Sequence, residues 1–264
     1  MKKRVRCLLL LLTACLLVFS TSAYARSKEG WVKEKEQWRY YTNGKKSKGL
    51  TRIGQKYYYF TKKGNQGTSW RKIDGAFYFF KTGRRSNAYM LKNTKKNGIK
   101  LGRDGKAILS SKRAKKKVKM MAAMSEYLDP LIKSSWSKKK KLTAVYDYMR
   151  RYVPYKFTTH FREKDKNWDI WCANKLLKNG YADCHPFACA FSYLANAIGY
   201  RNVIIESAKT HSWTRIGDEY YDVCIGRHNL RNYALFARPK DKFMVFMIER
   251  GHKEVKVSVY LDML

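Results

Sequence analysis

The side chains in this 264-residue chain best suited to covalent chemistry are its thiols and imidazoles. Cys184 lies in the run Gly180-Tyr181-Ala182-Asp183-Cys184-His185-Pro186-Phe187-Ala188. Pro186 suits the first turn of a helix. Phe187, Ala190, Phe191, Leu194, Ala195 and Ile198 then recur on one helical face, and Gly199 closes it. The spacing predicts that Cys184 opens a helix that packs into a core. Unpaired N–H groups and the helix dipole favour an anion there, so a reactive thiolate is one reading. A small buried cysteine is the other.

The partners of a thiolate follow in the chain. Val203 to Glu206 reads as a strand, and 211–216 and 219–223 read as a hairpin across Gly217-Asp218. A two-residue loop pairs Ile216 with Glu219 and Trp213 with Asp222. His211 and Trp213 then share a face, and Asp222 is one diagonal step from His211. An imidazole oriented by a carboxylate is what nucleophilic cysteine catalysis needs. A register slip of one residue would separate the pair.

Other candidates read differently. His185 adjoins Cys184 but is expected to point elsewhere on the helix, and His160, His228 and His252 show no evident partner. Cys172, Cys184, His185 and Cys189 could form a zinc set, but paired C-x₂₋₄-C spacing is missing. No acidic cluster suggests calcium. No metal or cofactor is expected. The cysteines are too sparse for a disulfide scaffold, so free thiols are expected, with one disulfide left open.

Together these residues resemble the transglutaminase-like superfamily. The resemblance rests on Ala182-Asp183-Cys184, His211-Ser212-Trp213 and Tyr220-Tyr221-Asp222, with Val145 to Tyr152 and Tyr155 upstream. The family usually has Gly where Ala182 stands. The resemblance implies a papain-type α+β domain over 110–264 with a Cys184, His211, Asp222 triad. It implies a thioester on a carboxamide or peptide substrate, resolved by water or an amine, with Trp213 near the substrate. The Cys184 N–H would be one oxyanion donor, and the second is sought among Trp168, Trp171 and Asn174. The upstream 110–152 stretch reads as helical, with Met120, Met121, Met124, Leu128 and Leu131 as core.

Residues 26–109 repeat. Trp31, Leu50 and Trp70 open units 19 and 20 residues apart, leading to Tyr40-Tyr41, Tyr58-Tyr59-Phe60 and Tyr78-Phe79-Phe80, each followed by Gly. A decayed fourth unit runs from Tyr89 to Gly105. Each unit reads as a hairpin with a glycine turn after the aromatics, and stacked units bury aromatic rows as in a solenoid. The pattern resembles the wall-binding repeats of choline- and glucan-binding proteins. That resemblance implies polymer contact through aromatics such as Trp31, Trp38, Tyr58, Trp70 and Tyr78. Leu50 in place of Trp, and the many cations nearby, disfavour a cage for a quaternary ammonium. Glycan or anionic teichoic-type polymer is the expected partner.

Lys plus Arg number 57 against 20 acidic residues, a net charge of +37. Such a field draws anionic partners. Lys2, Lys3, Arg4 and Arg6, the apolar run from Cys7 to Phe19 and Ala23-Tyr24-Ala25 read as a signal peptide over 1–25. Export argues against nucleic acid and for a secreted, wall-associated chain with no membrane span after cleavage. Leu12-Thr13-Ala14-Cys15 offers a lipoprotein box as a rival. A cysteine enzyme at the wall is thus expected, with a catalytically inactive wall-binding scaffold as the alternative.

Overall fold

The computed structural model describes residues 27–157, 165–208, 210–227, 235–252 and 254–263. The expected signal peptide over 1–25, with Cys15, and also His160 and His228 lie outside them.

Strands β1 (Gly30–Glu34) and β2 (Gln37–Thr42) form the first hairpin, and β3 (Lys45–Lys46) extends it. Strands β4 (Gly49–Ile53), β5 (Lys56–Phe60) and β6 (Gln66–Gly67) repeat the unit, and β7 (Ser69–Ile73) pairs with β8 (Ala76–Phe80). The decayed unit is β9 (Thr94–Lys96), β10 (Ile99–Leu101) and β11 (Ala107–Ile108). The tight turn precedes each aromatic run, contrary to the glycine-turn expectation. In the third unit Asp74 and Gly75 have φ of 48° and 80°. Two positive φ angles match the right-handed twist of the flanking strands. The later Gly44 and Gly64 sit instead at the corner into the short third strand.

Aromatic contacts join successive hairpins. The Trp31 ring lies 5.4 Å from Tyr58 and 5.7 Å from Phe60, and Tyr59 lies 5.8 Å from Phe80. Trp70 and Tyr58 are buried at 0% and 3% exposure, so they fill the solenoid instead of facing a polymer. Trp31, Trp38 and Tyr78 are half-buried.

Helix α1 (Lys112–Leu128) is capped by Ser111, whose hydroxyl accepts from the Ala114 N–H at 3.0 Å. Helix α2 (Lys138–Tyr152) is capped likewise by Ser137. Helix α3 (Trp168–Asn179) ends at Gly180, with φ 72°. Helix α4 (Cys184–Ile198) is buried along its whole length and ends at Gly199. Beyond it come β12 (Val203–Ser207), β13 (Ser212–Ile216), β14 (Glu219–Tyr221), the single turn α5 (Val223–Gly226), β15 (Arg238–Pro239), α6 (Lys240–Glu249) and β16 (Val257–Tyr260). The strands form one antiparallel sheet, β15-β14-β13-β12-β16. Helix α4 packs against this sheet and against α1, α2 and α3. Mixed helices and antiparallel strands agree with the α+β expectation. No helix among the described residues is long and apolar enough to cross a membrane.

The repeats are not a separate globule. Trp70, Phe77, Phe79, Ile99 and Leu101 belong to the same buried cluster as Met121, Phe187 and Leu194. Arg71 grips Asp129 with two bonds of 2.6 and 2.8 Å. Asn97 accepts from the Trp70 indole at 3.0 Å and donates to Asn196 of α4 at 3.1 Å. Cut at residue 109, the repeats would expose that apolar face.

Trp70→Ala should therefore destabilise the whole chain by about 3–5 kcal/mol, the usual cost of emptying a buried aromatic site. Urea unfolding followed at a repeat tryptophan and by far-UV circular dichroism should show one shared transition. Two separate transitions would mean that the repeats fold independently.

Candidate active site

Backbone contacts fix the Cys184 segment from upstream. The Ala182 N–H donates to the Pro154 carbonyl at 3.0 Å, and Lys156 N–H donates to the Ala182 carbonyl at 3.1 Å. Asp183 precedes the helix as its N-cap residue, and Cys184 is the first residue of α4. Two hydroxyls fasten β13 to that helix. Thr214 Oγ1 lies 2.8 Å from Ser192 Oγ and donates to the Ala188 carbonyl at 3.2 Å. This clamp sets the end of β13, and so His211, against the N-terminus of α4. The Cys184 Sγ lies 3.6 Å from the Thr210 carbonyl.

The hairpin has the register read from the sequence, with Ile216 opposite Glu219. Pairing stops at Tyr221, so His211 and Asp222 flank the ladder instead of belonging to it. They still meet: His211 Nε2 lies 2.5 Å from Asp222 Oδ2. Both are buried, at 6% and 1% exposure. Asp222 Oδ1 caps α5 by accepting from the Ile225 N–H at 2.9 Å. The Tyr146 hydroxyl of α2 donates to the Asp222 carbonyl at 3.0 Å. Gly226 makes room for that phenol, since a Cβ there would lie 2.2 Å from the Tyr146 oxygen.

Electrostatics distinguish the thiols. Burial pushes the Cys184 thiol up, but hydrogen bonds from His185 and His211 outweigh it and bring the pKa down to about 7. Burial pushes the His211 imidazole down, and the Asp222 carboxylate more than offsets this, raising it to about 10. A thiolate and an imidazolium therefore coexist near neutrality. With Nε2 on Asp222, Nδ1 is the His211 nitrogen left for the sulfur. Cys189 and Cys224 are pushed up, chiefly by burial, and are inert by comparison. All four described cysteines are free and buried.

Three sequence readings change. His185 does not point away, because its Nδ1 lies 3.3 Å from Cys184 Sγ. His252 has partners: it stacks on the His211 ring at 4.7 Å and 22°, and its Nδ1 lies 3.3 Å from Thr210 Oγ1. Nothing in the local sequence signals His252, because a later segment returns to the site after α6. Trp213 is completely buried, donates to Glu206 Oε2 at 2.9 Å and packs on Phe243 of α6 at 5.6 Å. Strand alternation sends it away from Thr214 and α4, so it holds the sheet, while its ring still lies 6.3 Å from that of His211.

For metal ligation, Asp183, Cys184 and His185 bring ligand atoms within 4.8 Å of one another, while Cys172 and Cys189 stand outside that group. Trp168 is buried and Trp171 is 42% exposed. Neither they nor Asn174 makes a hydrogen bond to Cys184 among the described contacts.

Alkylation by iodoacetamide should show Cys184 half-reactive near pH 7, its thiolate lost as pH falls below that. His185→Gln and Asp222→Asn should each move the midpoint up, since each removes support for the charged pair. An unmoved midpoint in both would mean that neither group sets the thiol.

No protein-family model matches the sequence, and no curated protein matches it. Among solved structures, the chain is similar to choline binding protein F from Streptococcus pneumoniae in the presence of a peptidoglycan analogue. That match has 24% identity and a TM-score of 0.27, covering 31% of this chain and 26% of the other. A choline binding domain from Streptococcus pneumoniae matches at 21% identity and TM-score 0.28, over 31% and 98%. The modular Cpl-1 endolysin, complexed with a peptidoglycan analogue, matches at 24% identity and TM-score 0.22, over 31% and 25%.

Proposed function

We propose that this chain is a secreted, wall-associated cysteine enzyme of transglutaminase-like type, with Cys184 as nucleophile, His211 as proton carrier and Asp222 as its orienting carboxylate. The observation that carries the reading is the buried 2.5 Å contact between His211 and Asp222, set beside a thiol at the start of a buried helix. The Cys184 thiolate attacks the carbon of a carboxamide, and the C=O pair moves to oxygen. The backbone N–H of Cys184 faces the developing oxyanion. The His211 imidazolium gives its proton to the departing amine, the C–N bond breaks and a thioester remains. Water or a second amine then loses a proton to His211 and attacks the thioester, releasing Cys184. His185 gives the thiolate a second hydrogen bond, and His252 covers one face of the His211 ring.

The repeats would hold the enzyme to glycan or anionic wall polymer through Trp31, Trp38 and Tyr78. A quaternary ammonium suits them poorly, because the chain's own cations already occupy aromatic faces. Lys56 lies 4.3 Å over Tyr89, and Arg85 lies 4.8 Å over Trp38. A second reading, a catalytically inactive wall-binding scaffold, draws on the 9% exposure of Cys184, which leaves a substrate little access.

Incubating the full chain with a pool of wall peptides and weighing it intact should reveal a thioester adduct on Cys184. Cys184→Ala should abolish the adduct and any turnover, and His211→Ala should come close. Asp222→Asn should be milder, and adding it to Cys184→Ala should cost little more, since members of a catalytic unit are not additive. Full turnover by Cys184→Ala would leave the scaffold reading in its place.

A further inference from the structure

A cavity of about 470 Å³ opens where the repeats meet the helices, at the end of α4 opposite Cys184. Its wall includes Trp38, Arg84, Arg85, Trp136, Lys138 and Lys141, and no carboxylate among the described residues lines it. The nearest acid in the hydrogen-bond network is Glu36, which accepts from the Trp136 indole N–H at 2.8 Å and lies 3.7 Å from the Lys140 ammonium. Ser137 and Lys138 bring the N-terminus of α2 to the same cavity, adding the positive end of a fifteen-residue helix.

The basic groups are held, not loose. Gln66 is buried and clasps the Arg85 backbone from both sides. Its amide donates to the Arg85 carbonyl at 2.7 Å, and its carbonyl accepts from the Arg85 N–H at 2.8 Å. That clasp keeps Arg85 at φ 49°, a conformation disfavoured for a side chain with a Cβ. The strained backbone presents the guanidinium over the Trp38 indole. The Trp38 Nε1 is buried and has no hydrogen-bond partner among the described residues. Arg84 is tied to the Ser135 carbonyl at 3.1 Å, and Lys138 to the Gly199 carbonyl at 2.9 Å. Lys141 is 8% exposed, and its best acceptor is the Ser134 carbonyl at a long 3.4 Å. Burial pushes the Lys141 ammonium down to about 8, with Arg84 adding to the effect, so an anion entering the cavity would relieve both.

We propose that this cavity binds an anionic sugar or polyol unit, its charge met by Arg85, Lys138 and Lys141 and its carbon skeleton packed beside Trp38 and Trp136, whose rings Arg85 and Lys140 overlie at 4.8 and 4.7 Å. Arginine and lysine donors with aromatic platforms match a unit that is charged on one side and apolar on another. The same chemistry would recognise a phosphodiester of a teichoic-type polymer or the carboxylate of a muramyl unit. The wall as the source of that unit rests on the wall-associated reading above. The anion site itself does not.

Isothermal titration calorimetry on the full chain at physiological salt tests this with two short probes, a glycerol-phosphate oligomer and a muramyl disaccharide. Saturable one-site binding of either is expected, and the one that binds identifies the source. Arg85→Gln and Trp136→Ala should each weaken it about tenfold or more with unchanged thermal unfolding. Arg85→Glu should weaken it further, while Lys242→Glu, an equal charge change on distant α6, should leave it unchanged. Equal weakening by Arg85→Glu and Lys242→Glu would overturn the site, because the overall field would then suffice. Binding of neither probe would overturn it too. Oligomer binding without sedimentation on purified walls would keep the site and remove the wall reading.

Discussion

A helix buried along its whole length has to be covered on every side, and α4 imposes that requirement on the rest of this chain. Phe187, Phe191, Leu194 and Ile198 form the stripe visible in the sequence, yet His185, Ser192, Tyr193 and Asn196 are buried as well. Each buried polar group must then find a partner. Ser192 takes Thr214 of β13, Tyr193 takes Asp169 of α3, and Asn196 takes Asn97 of the last hairpin. These contacts are polar and directional. They fix where the sheet, α3 and the repeats sit, and apolar packing alone would leave them free to slide. The placement of His211 beside Cys184 follows from the first of them.

Charge is distributed with similar economy. Acidic residues are scarce, and those that are buried sit at junctions. Asp169 meets both Arg113 and Tyr193, and Glu206 joins Trp213 to Arg215 across the sheet. Asp222 divides its two oxygens between His211 and the cap of α5. A carboxylate that caps a helix is already oriented before the imidazole meets it. Truncating such a residue leaves its partner buried and uncompensated, which costs more than the interaction itself contributes. Much of the excess of cations stays at the surface or lies over aromatic faces, where its repulsion is screened or offset, while Lys117 and Lys141 are buried.

The hairpin register, the start and end of α4, and the meeting of His211 with Asp222 were legible because each has a local signature. Gly217-Asp218 sets the register, Pro186 and Gly199 bracket the helix, and the offset of His211 and Asp222 from the turn places them side by side. The resemblance put Trp213 near the substrate, and the strand pairing, which begins one residue after His211, buries it completely with its ring 6.3 Å from that of His211. Within the strand, Trp213 follows the alternation and faces α6, an element the sequence reading did not anticipate. His252 was missed for a similar reason. Its place depends on where α6 and β16 return, and no periodicity within the segment encodes that. The repeats were recognised from their spacing, but their union with the helical core was not. Trp70 and Phe79 look the same in sequence whether they face a polymer or α1.

The union has a consequence for how the two ends of α4 act. Cys184 is its first residue, and Ile198, its last, lines the basic cavity. A fifteen-residue helix spans about 22 Å. Asn97 and Asn196 hold the far end to the repeats, and Thr82 occupies the space a side chain at Gly199 would need. A linker between modules would let that distance vary, whereas a shared core holds it constant. A polymer unit seated in the cavity would therefore stand at a set distance from the thiol, measured along one rigid element. Fixed spacing of this kind favours a substrate attached to the same polymer over one that arrives free, because its approach is already partly confined.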